Sequence, residues 1–406
     1  MIRLPTCAFA VALLASSASA FVPLAATSSR SATSLNAAAL IVQNKGGGHG
    51  ELGFQLAKKL ATFDKIDSIV ILQDDACKDG SEPFCSYESD LPSQVTVIKA
   101  ALGDESVDAD KMQSWLGDDA KFDYVYDNNS KGPVGAGKAI CDCAKNWGCK
   151  LYTYVSSAGM YQPNDSTTFP MSESDTPIKD SAGQAKQDAY AVELGLPLVS
   201  FRPQYIYGPN ANKYDYIDWY FDRLVRDLPL PIPSPGTQKV SLTNSQDVAA
   251  LLTAPLNNEE AAIAQRFFNC GTDKLYTYDE VAYMCAEAAG VPKDDVRIEH
   301  YDSDLYGKAK FPFRMTDFYV APDMAKDKLG YAGAEHDLKD DLKWYYEGYV
   351  ARGGPTRDVD LIKDWEIVVG SQTPATPEKG TIAASIYNKY IPTSMDTSEV
   401  QSVLEN

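Results

Sequence analysis

The sequence is poor in cysteine, histidine and positive charge, and each shortage excludes something. Eight cysteines in 406 residues, at 7, 77, 85, 141, 143, 149, 270 and 285, form no CxxC pair and are too sparse for a disulfide scaffold. They read as mostly reduced thiols. Cys141 and Cys143 flank an acid on an expected helix, where i and i+2 side chains diverge, so neither a zinc site nor a disulfide between them is expected. Pairing of either with Cys149 stays open for an oxidising compartment. Three histidines, 49, 300 and 336, are scattered along the chain and make no metal triad, though His49 lies where it could contact a phosphate. Lys+Arg 37 against Asp+Glu 56 gives a net charge of −19, which opposes binding of nucleic acid or anionic membrane through bulk charge. A polyanionic partner would have to meet a local basic patch. No segment offers about 18 uninterrupted apolar residues, the length of a membrane-spanning helix. With 44% hydrophobic and 23% charged residues the chain is too apolar for disorder, and one large or two modest cores are expected.

The amino terminus has the composition of an address. Residues 1–20 carry Arg3, an apolar run to Ala15 and then Ser-Ala-Ser-Ala, a small-residue site that fits signal-peptide cleavage after Ala20. Residues 21–37 are rich in Ser, Thr and Ala, and the first acid of the chain is Glu51. Loss of the first 36 residues, which hold Arg3, Arg30 and no acid, would take the net charge from −19 to about −21. A signal peptide joined to a transit-like segment, with Phe21 directly after the cut, resembles the bipartite plastid-targeting presequences of diatoms and related algae. The resemblance implies the plastid stroma; ordinary secretion is the other reading.

From Ala39 the pattern is an apolar run, a glycine cluster (Gly46 to Gly50), and a helical stretch with Leu52, Leu56 and Leu60 on one face. Further β-rich runs follow at 68–72, 95–98, 122–126, 150–156 and 198–201, with helical stretches between several of them. Continuous apolar strands alternating with helices indicate a parallel sheet covered on both faces. The expected fold class is α/β, a Rossmann-like doubly wound parallel sheet over 38–205. A smaller C-terminal α/β lobe over 206–350, contributing to the main sheet, and an extension over 351–406 complete it. That extension reads as weakly ordered, above all from Ser371.

Gly47, Gly50 and Gly53 stand at the first strand-to-helix turn in a GxxGxxG spacing. Glycines there let the backbone approach a phosphate, whose charge is favoured by the N–H groups and dipole of the following helix. Asp74 or Asp75, about 20 residues on, stands where a carboxylate would accept a ribose hydroxyl. The alternative is two solvated loop acids. Glu51, inside the loop, is irregular, because a carboxylate at a helix start competes with phosphate for the same positive end.

YVSSAGMY (154–161), FRPQYIYGPN (201–210) and the Asp247-Val248 of NSQDVAALL resemble three landmarks of the extended short-chain dehydrogenase/reductases, which modify sugar nucleotides. Longer runs are similar to an atypical branch of that family, the chloroplast stem-loop-binding proteins. These are DNNSKG (127–132), VSSAGMY, the stretch from Phe201 to Gly236, FFNCGTDKLYTYDEVAYMCAEAAG and FRMTDFYVAPDMAKDKLGY (313–331). The likeness covers roughly residues 38 to 350. It implies binding of plastid RNA at stem-loops, with endoribonuclease activity supported by a divalent cation such as Mg²⁺, in transcript stability and processing.

A reductase of this family needs a Tyr acid/base, a Lys a turn of helix away and a Ser orienting the carbonyl. Ser157 is present. Aligning Glu193 with the acid that follows the family's Lys puts Ala189 at the Lys position and the Tyr near Gln184 or Ala185. Lys186 and Tyr190 occur in reversed order, and although i and i+4 share a helix face, Tyr190 is displaced by more than a turn. The sequence therefore opposes hydride chemistry, while NAD(P) binding could outlive its loss.

Candidate RNA contacts are Lys58-Lys59 with Lys65, Arg223 with Arg226, and KAKFPFR, in which Lys308, Lys310 and Arg314 interleave with Phe311 and Phe313. Lys326 and Lys328 follow. Cations between aromatics suit phosphate contact and base stacking. The competing account pairs Arg223 and Arg226 with Asp222 and Asp227 and packs the phenylalanines in the lobe. For a metal-assisted ribonuclease, hard oxygen ligands must converge at a cleft. Asp127, as metal ligand and catalytic group, with Asn129 and Ser157 ends the strands on the side where such sheets bind ligands. Asn128 and Asn129 capping the next helix is the alternative. The reading is thus an RNA-binding protein in a homo-oligomer or ribonucleoprotein assembly, cleaving its target or only protecting it as a scaffold. A working NAD(P)-dependent sugar-nucleotide epimerase or reductase is the other class.

Overall fold

The computed structural model describes residues 37–46, 50–368 and 389–390, within one compact unit that begins at Asn36. The expectations for residues 1–36 lie outside the described residues, and Ala37 already opens a strand. Seven strands form the main sheet: β1 (Ala37–Gln43), β2 (Ile66–Asp74), β3 (Val95–Ala100), β4 (Tyr124–Asn128), β5 (Leu151–Val155), β6 (Leu198–Pro203) and β7 (Phe267–Cys270). Their order is β7-β6-β5-β4-β1-β2-β3, with every pairing parallel. The order reverses between β1 and β4, which opens a crevice at their carboxyl ends.

The helices that cover this sheet are α1 (Gly50–Leu60), α2 (Ala109–Leu116), α3 (Ala136–Trp147) and α4 (Gly183–Glu193); α5 (Asp215–Leu224) belongs to the lobe, and α6 (Ser245–Thr253) returns to the sheet. Alternate residues of β1 divide between the two faces. Ala39 and Ile41 pack with Leu52, Leu56 and Leu60 of α1 and Val248, Leu251 and Leu252 of α6. Leu40 and Val42 face Met112 of α2, Ile140 and Ala144 of α3 and Ala191 of α4. Each fully buried leucine contributes roughly 1.5–3 kcal/mol, so the period-2 strand and the i, i+4, i+8 helix stripe together fix the layer order.

The second core is aromatic. Tyr220 and Phe221 of α5, Val281 and Cys285 of α7 (Tyr278–Ala289), and Leu342, Tyr345 and Tyr349 of α8 (Leu338–Ala351) close around Phe311 and Phe313. Phe311 and Phe313 are 1% and 0% exposed, which corrects the expectation that they stack on RNA bases. The C-terminal extension also differs from a loose tail, because residues to 368 dock on the lobe. Leu361, Ile362 and Trp365, around α9 (Ile362–Val368), pack with Leu228 and Tyr390. Beside them Arg223 holds Asp364 through two bonds, of 2.6 and 2.8 Å, with both side chains buried. Residues 369–388 and 391–406 lie outside the described residues.

Gly183, at the start of α4, sits directly on the loop after β4: a Cβ there would overlap the Lys131 carbonyl. Backbone cannot yield as a flexible side chain can. Gly183→Ala should cost about 1–3 kcal/mol, measured as a lower urea midpoint, and an unchanged midpoint would refute this close packing.

Candidate functional site

The floor of the crevice is an amide network. Asn128 donates to Gln43 Oε1 at 2.8 Å, Gln73 donates to the Asn44 carbonyl at 2.9 Å, and Tyr87 donates to Gln73 Oε1 at 2.9 Å. Gln43, Gln73 and Asn128 are at most 3% exposed. Gly53, one turn into α1, permits this floor, since a Cβ at that position would overlap the Gln43 amide. Gly50 opens α1, whereas Gly47 and His49 lie outside the described residues. Asp74, at the end of β2, is buried at the crevice edge, its Oδ1 accepting the Ala76 N–H at 3.0 Å; Asp75 is exposed. The crevice has a volume of about 450 Å³ and is bordered by Asp74, Asn128, Asn129, Ser156 and Gln184. A strand-turn-helix with Gly at the close approach and an acid at the end of β2 suits the adenosine half of a dinucleotide.

Glu51 is turned away from the phosphate position expected for it. Its Oε1 accepts the Asn210 N–H at 3.0 Å and the Gln55 amide at 3.1 Å, and the absent side chain of Gly208 leaves the room it fills beside Ser245. Burial pushes the carboxyl up to about 7, against the hydrogen bonds from Asn210, Ser245 and Gln55, with Glu82 adding to the rise.

Asp127 is 0% exposed, and its carboxylate organises the loop after β4. Oδ1 accepts the N–H groups of Asn129 and Ser130 at 3.1 and 2.9 Å, and Oδ2 accepts the Tyr152 hydroxyl at 2.7 Å. Burial is the main influence on this carboxyl and raises it above the usual range. A cation at Asp127 would have to displace one of these donors. Among the described residues no group of three or more His, Cys, Asp or Glu side chains is placed to hold a metal ion. Cys141, Cys143 and Cys149 are buried thiols, and none of the three pairs with another cysteine.

The expected catalytic positions lie on helix α4. Glu193 is exposed, whereas Asp188 is the acid buried against the sheet, near Ser156, Ser200 and Arg202. Burial raises its carboxyl to about 6, against the pull of those neighbours. Four residues before Asp188 stands Gln184, the residue of α4 that borders the crevice, and four earlier stands Asp180 on an exposed turn. Ala189, at the expected Lys position, is exposed, and Gln184, at the expected Tyr position, brings an amide to the crevice where a hydroxyl would be needed. Tyr190 cannot substitute, because its hydroxyl donates to Asp142 of α3 at 2.6 Å, and Lys186 is exposed. No hydroxyl or ammonium of α4 thus stands in for the family's acid/base pair.

Ser157 borders a second cavity, of about 650 Å³, together with Lys213, Lys308, Lys310 and Arg314. Its Oγ accepts the Gly159 N–H at 2.9 Å, which leaves its own proton to donate. Lys310 pairs with Asp360. Lys308 and Arg314 have no ion-pair partner among the described residues, and the nearest carboxylate oxygen to the Lys213 ammonium is on Asp215 at 3.8 Å. Burial, followed by Arg314 and Lys213, pushes the Lys308 ammonium down. Of the other basic stretches, Lys58 and Lys59 are exposed on α1, with Lys58 over the Phe54 ring at 5.1 Å, and the rest are engaged. Arg223 is buried on Asp364 instead of pairing with Asp222, Arg226 donates to the Asp222 and Arg357 carbonyls, and Lys65, Lys326 and Lys328 hold Glu259, Asp273 and Asp327. Sequence reasoning missed Lys213 and Asp188. Only the order of residues within FRPQYIYGPNANKYDY, which sets Lys213 close behind the β6 turn, could have pointed to the first.

Known proteins match this arrangement. The model of the NAD dependent epimerase/dehydratase family fits residues 47–271. Chloroplast stem-loop binding protein of 41 kDa b from Arabidopsis thaliana is 32% identical over 282 residues, 68% of this chain and 70% of that protein. Among solved structures, UDP-glucuronic acid 4-epimerase from Bacillus cereus, in complex with UDP-glucuronic acid and NAD, superposes with a TM-score of 0.56 at 18% identity, over 78% of this chain and 99% of its own. UDP-glucose 4-epimerase from Thermotoga maritima gives 0.57 at 16%, with the same coverage. The sheet order, the crevice and the extent of these matches place the chain in the NAD dependent epimerase/dehydratase family, in its chloroplast stem-loop binding protein branch.

Proposed function

We propose that the protein binds RNA stem-loops in the plastid and performs no hydride chemistry. The observation that carries this reading is the second cavity, where Lys213, Lys308, Lys310 and Arg314 gather against two carboxylates, Asp215 at 3.8 Å from Lys213 and Asp360 on Lys310, in a chain of net charge −19. An excess of cations over carboxylates favours an anion there; burial is the main cause that pushes the Lys308 ammonium down, with Arg314 and Lys213 adding to it. With Ala189 at the family's Lys position and Gln184 or Ala185 at its Tyr position, the proton donor a reductase needs is missing. The name of the Arabidopsis relative supports RNA stem-loops and the plastid, and the composition of residues 1–37 supports import into the stroma. NAD(P) suits the crevice as a bound ligand without a chemical task, held by Gly47, Gly50, Gly53 and Asp74.

Cleavage of the bound RNA with a divalent cation, at Asp127, Asn129 and Ser157, is the finer form of this proposal. The RNA phosphates would supply most of the ligands, since Asp127 is already hydrogen-bonded. Incubating a labelled stem-loop with the protein in Mg²⁺ or EDTA, while following NADPH absorbance with a nucleotide sugar present, tests both forms. The expected result is RNA retention with no absorbance change. Cuts confined to Mg²⁺ establish the nuclease, retention without cuts leaves a protective scaffold, and NADPH consumption, or conversion of the nucleotide sugar to its epimer without it, would overturn the reading in favour of a reductase or an epimerase.

A further inference from the structure

We infer that the cavity beside Ser157 receives a single unpaired nucleotide of the bound RNA, its phosphate on Lys213, Lys308 and Arg314 and its base against Tyr216. The inference rests on the RNA-binding reading and deepens it. A volume of about 650 Å³ falls within the range of pockets that enclose small molecules, 300–1,000 Å³. A concave site of that size admits one nucleotide, whereas a duplex presents its phosphates on a convex surface and keeps its bases stacked inside.

The walls divide by chemistry. On one side Arg314 is fixed by a bond of 3.1 Å to the Gly159 carbonyl and by stacking over Phe318 at 4.5 Å, so most of its five N–H donors remain for a phosphate. Burial pushes the Lys308 ammonium down, and Arg314 and Lys213 stand near enough to add to it. On the other side is the half-buried ring of Tyr216, set edge-on to Tyr205 at 5.0 Å and overlain by the Lys213 ammonium at 5.3 Å. A base stacks on such a ring while the cation reaches its phosphate.

Backbone strain marks the same wall independently. Five described non-glycine residues have positive φ, and three of them are here: Tyr205 at 39°, Ala309 at 44° and Lys310 at 61°. Residues held in that region cost free energy and cluster where structure serves binding. In this loop the strain carries Lys308 and Lys310 to the cavity rim.

The test compares three labelled RNAs by fluorescence anisotropy: a hairpin with an unpaired loop, a single strand of the loop sequence, and a blunt duplex with every base paired. The hairpin and the single strand should bind, and the duplex at least about 10-fold more weakly. Lys213→Glu should weaken the single strand about 10-fold, and Tyr216→Ala by a similar factor, with Tyr216→Phe restoring affinity. Lys213 is half-exposed on a loop, so its variant remains informative if loss of Tyr216 disturbs the lobe. UMP and AMP at millimolar concentration should compete. Equal binding of the duplex, or a Lys213→Glu variant with unchanged affinity for the hairpin, would overturn the nucleotide site while leaving RNA binding intact on another face. Failure of both UMP and AMP to compete would overturn it too. Failure of all three RNAs to bind the unaltered protein would overturn the RNA reading itself.

Discussion

Asp364→Ala lowers the unfolding free energy by about 3–5 kcal/mol, the cost of leaving a buried charge without its partner. The argument starts from burial: the Arg223 and Asp364 side chains are 3% and 2% exposed. Removing the carboxylate leaves the guanidinium with only the Trp219 carbonyl, at 2.7 Å, and the face of the Trp219 ring, at 3.8 Å. Because this pair ties α5 to α9, the same substitution should loosen the extension. Guanidinium titration monitored by tryptophan fluorescence measures both effects, since Trp219 and Trp365 lie at the contact. A loss below 1 kcal/mol would mean that the C-terminal segment does not dock as described. Replacing both charges with leucine and methionine is expected to restore much of the stability.

Glu51→Gln stabilises the protein by up to about 3 kcal/mol at pH 8 and by almost nothing at pH 4.5. The folded-state carboxyl titrates at about 7, above its ordinary 4.5, with burial as the main cause. Between those values the folded protein holds a proton that the unfolded chain has released. Stability therefore falls as pH rises from 4.5 to 7 and stays at the lower level above. Ionisation is resisted because Glu82 adds like charge and the donors from Asn210, Gln55 and Ser245 offset only part of the burial penalty. An amide keeps the bond to Asn210 without the charge. Urea midpoints of the two proteins at pH 5 and pH 8 give the difference directly, and an equal gap at both would contradict it.

The doubly wound sheet was legible because its strands are continuous apolar runs and its first helix repeats leucine every four residues. The runs expected at 68–72, 95–98 and 198–201 all lie inside observed strands. Site chemistry was harder to read, because burial decides it and composition does not disclose burial. Asp127 and Asp188 look alike in sequence, yet one has three hydrogen bonds holding a loop and the other faces hydroxyls beneath the crevice. Arg223 and Arg226 resembled an exposed basic pair for the same reason, although the partner of Arg223 lies 141 residues away. The KAKFPFR run mixed both cases: its cations border the cavity while its phenylalanines fill the lobe.

The claim that the cationic cavity exists to hold RNA is tested most directly by titrating a labelled stem-loop with the protein across a salt series. Three phosphate contacts predict a slope of about −2 in log K against log[salt], flattened when Lys308 and Arg314 are reversed to Glu. Binding that does not change with salt, or that survives the double reversal with its slope intact, would contradict the account.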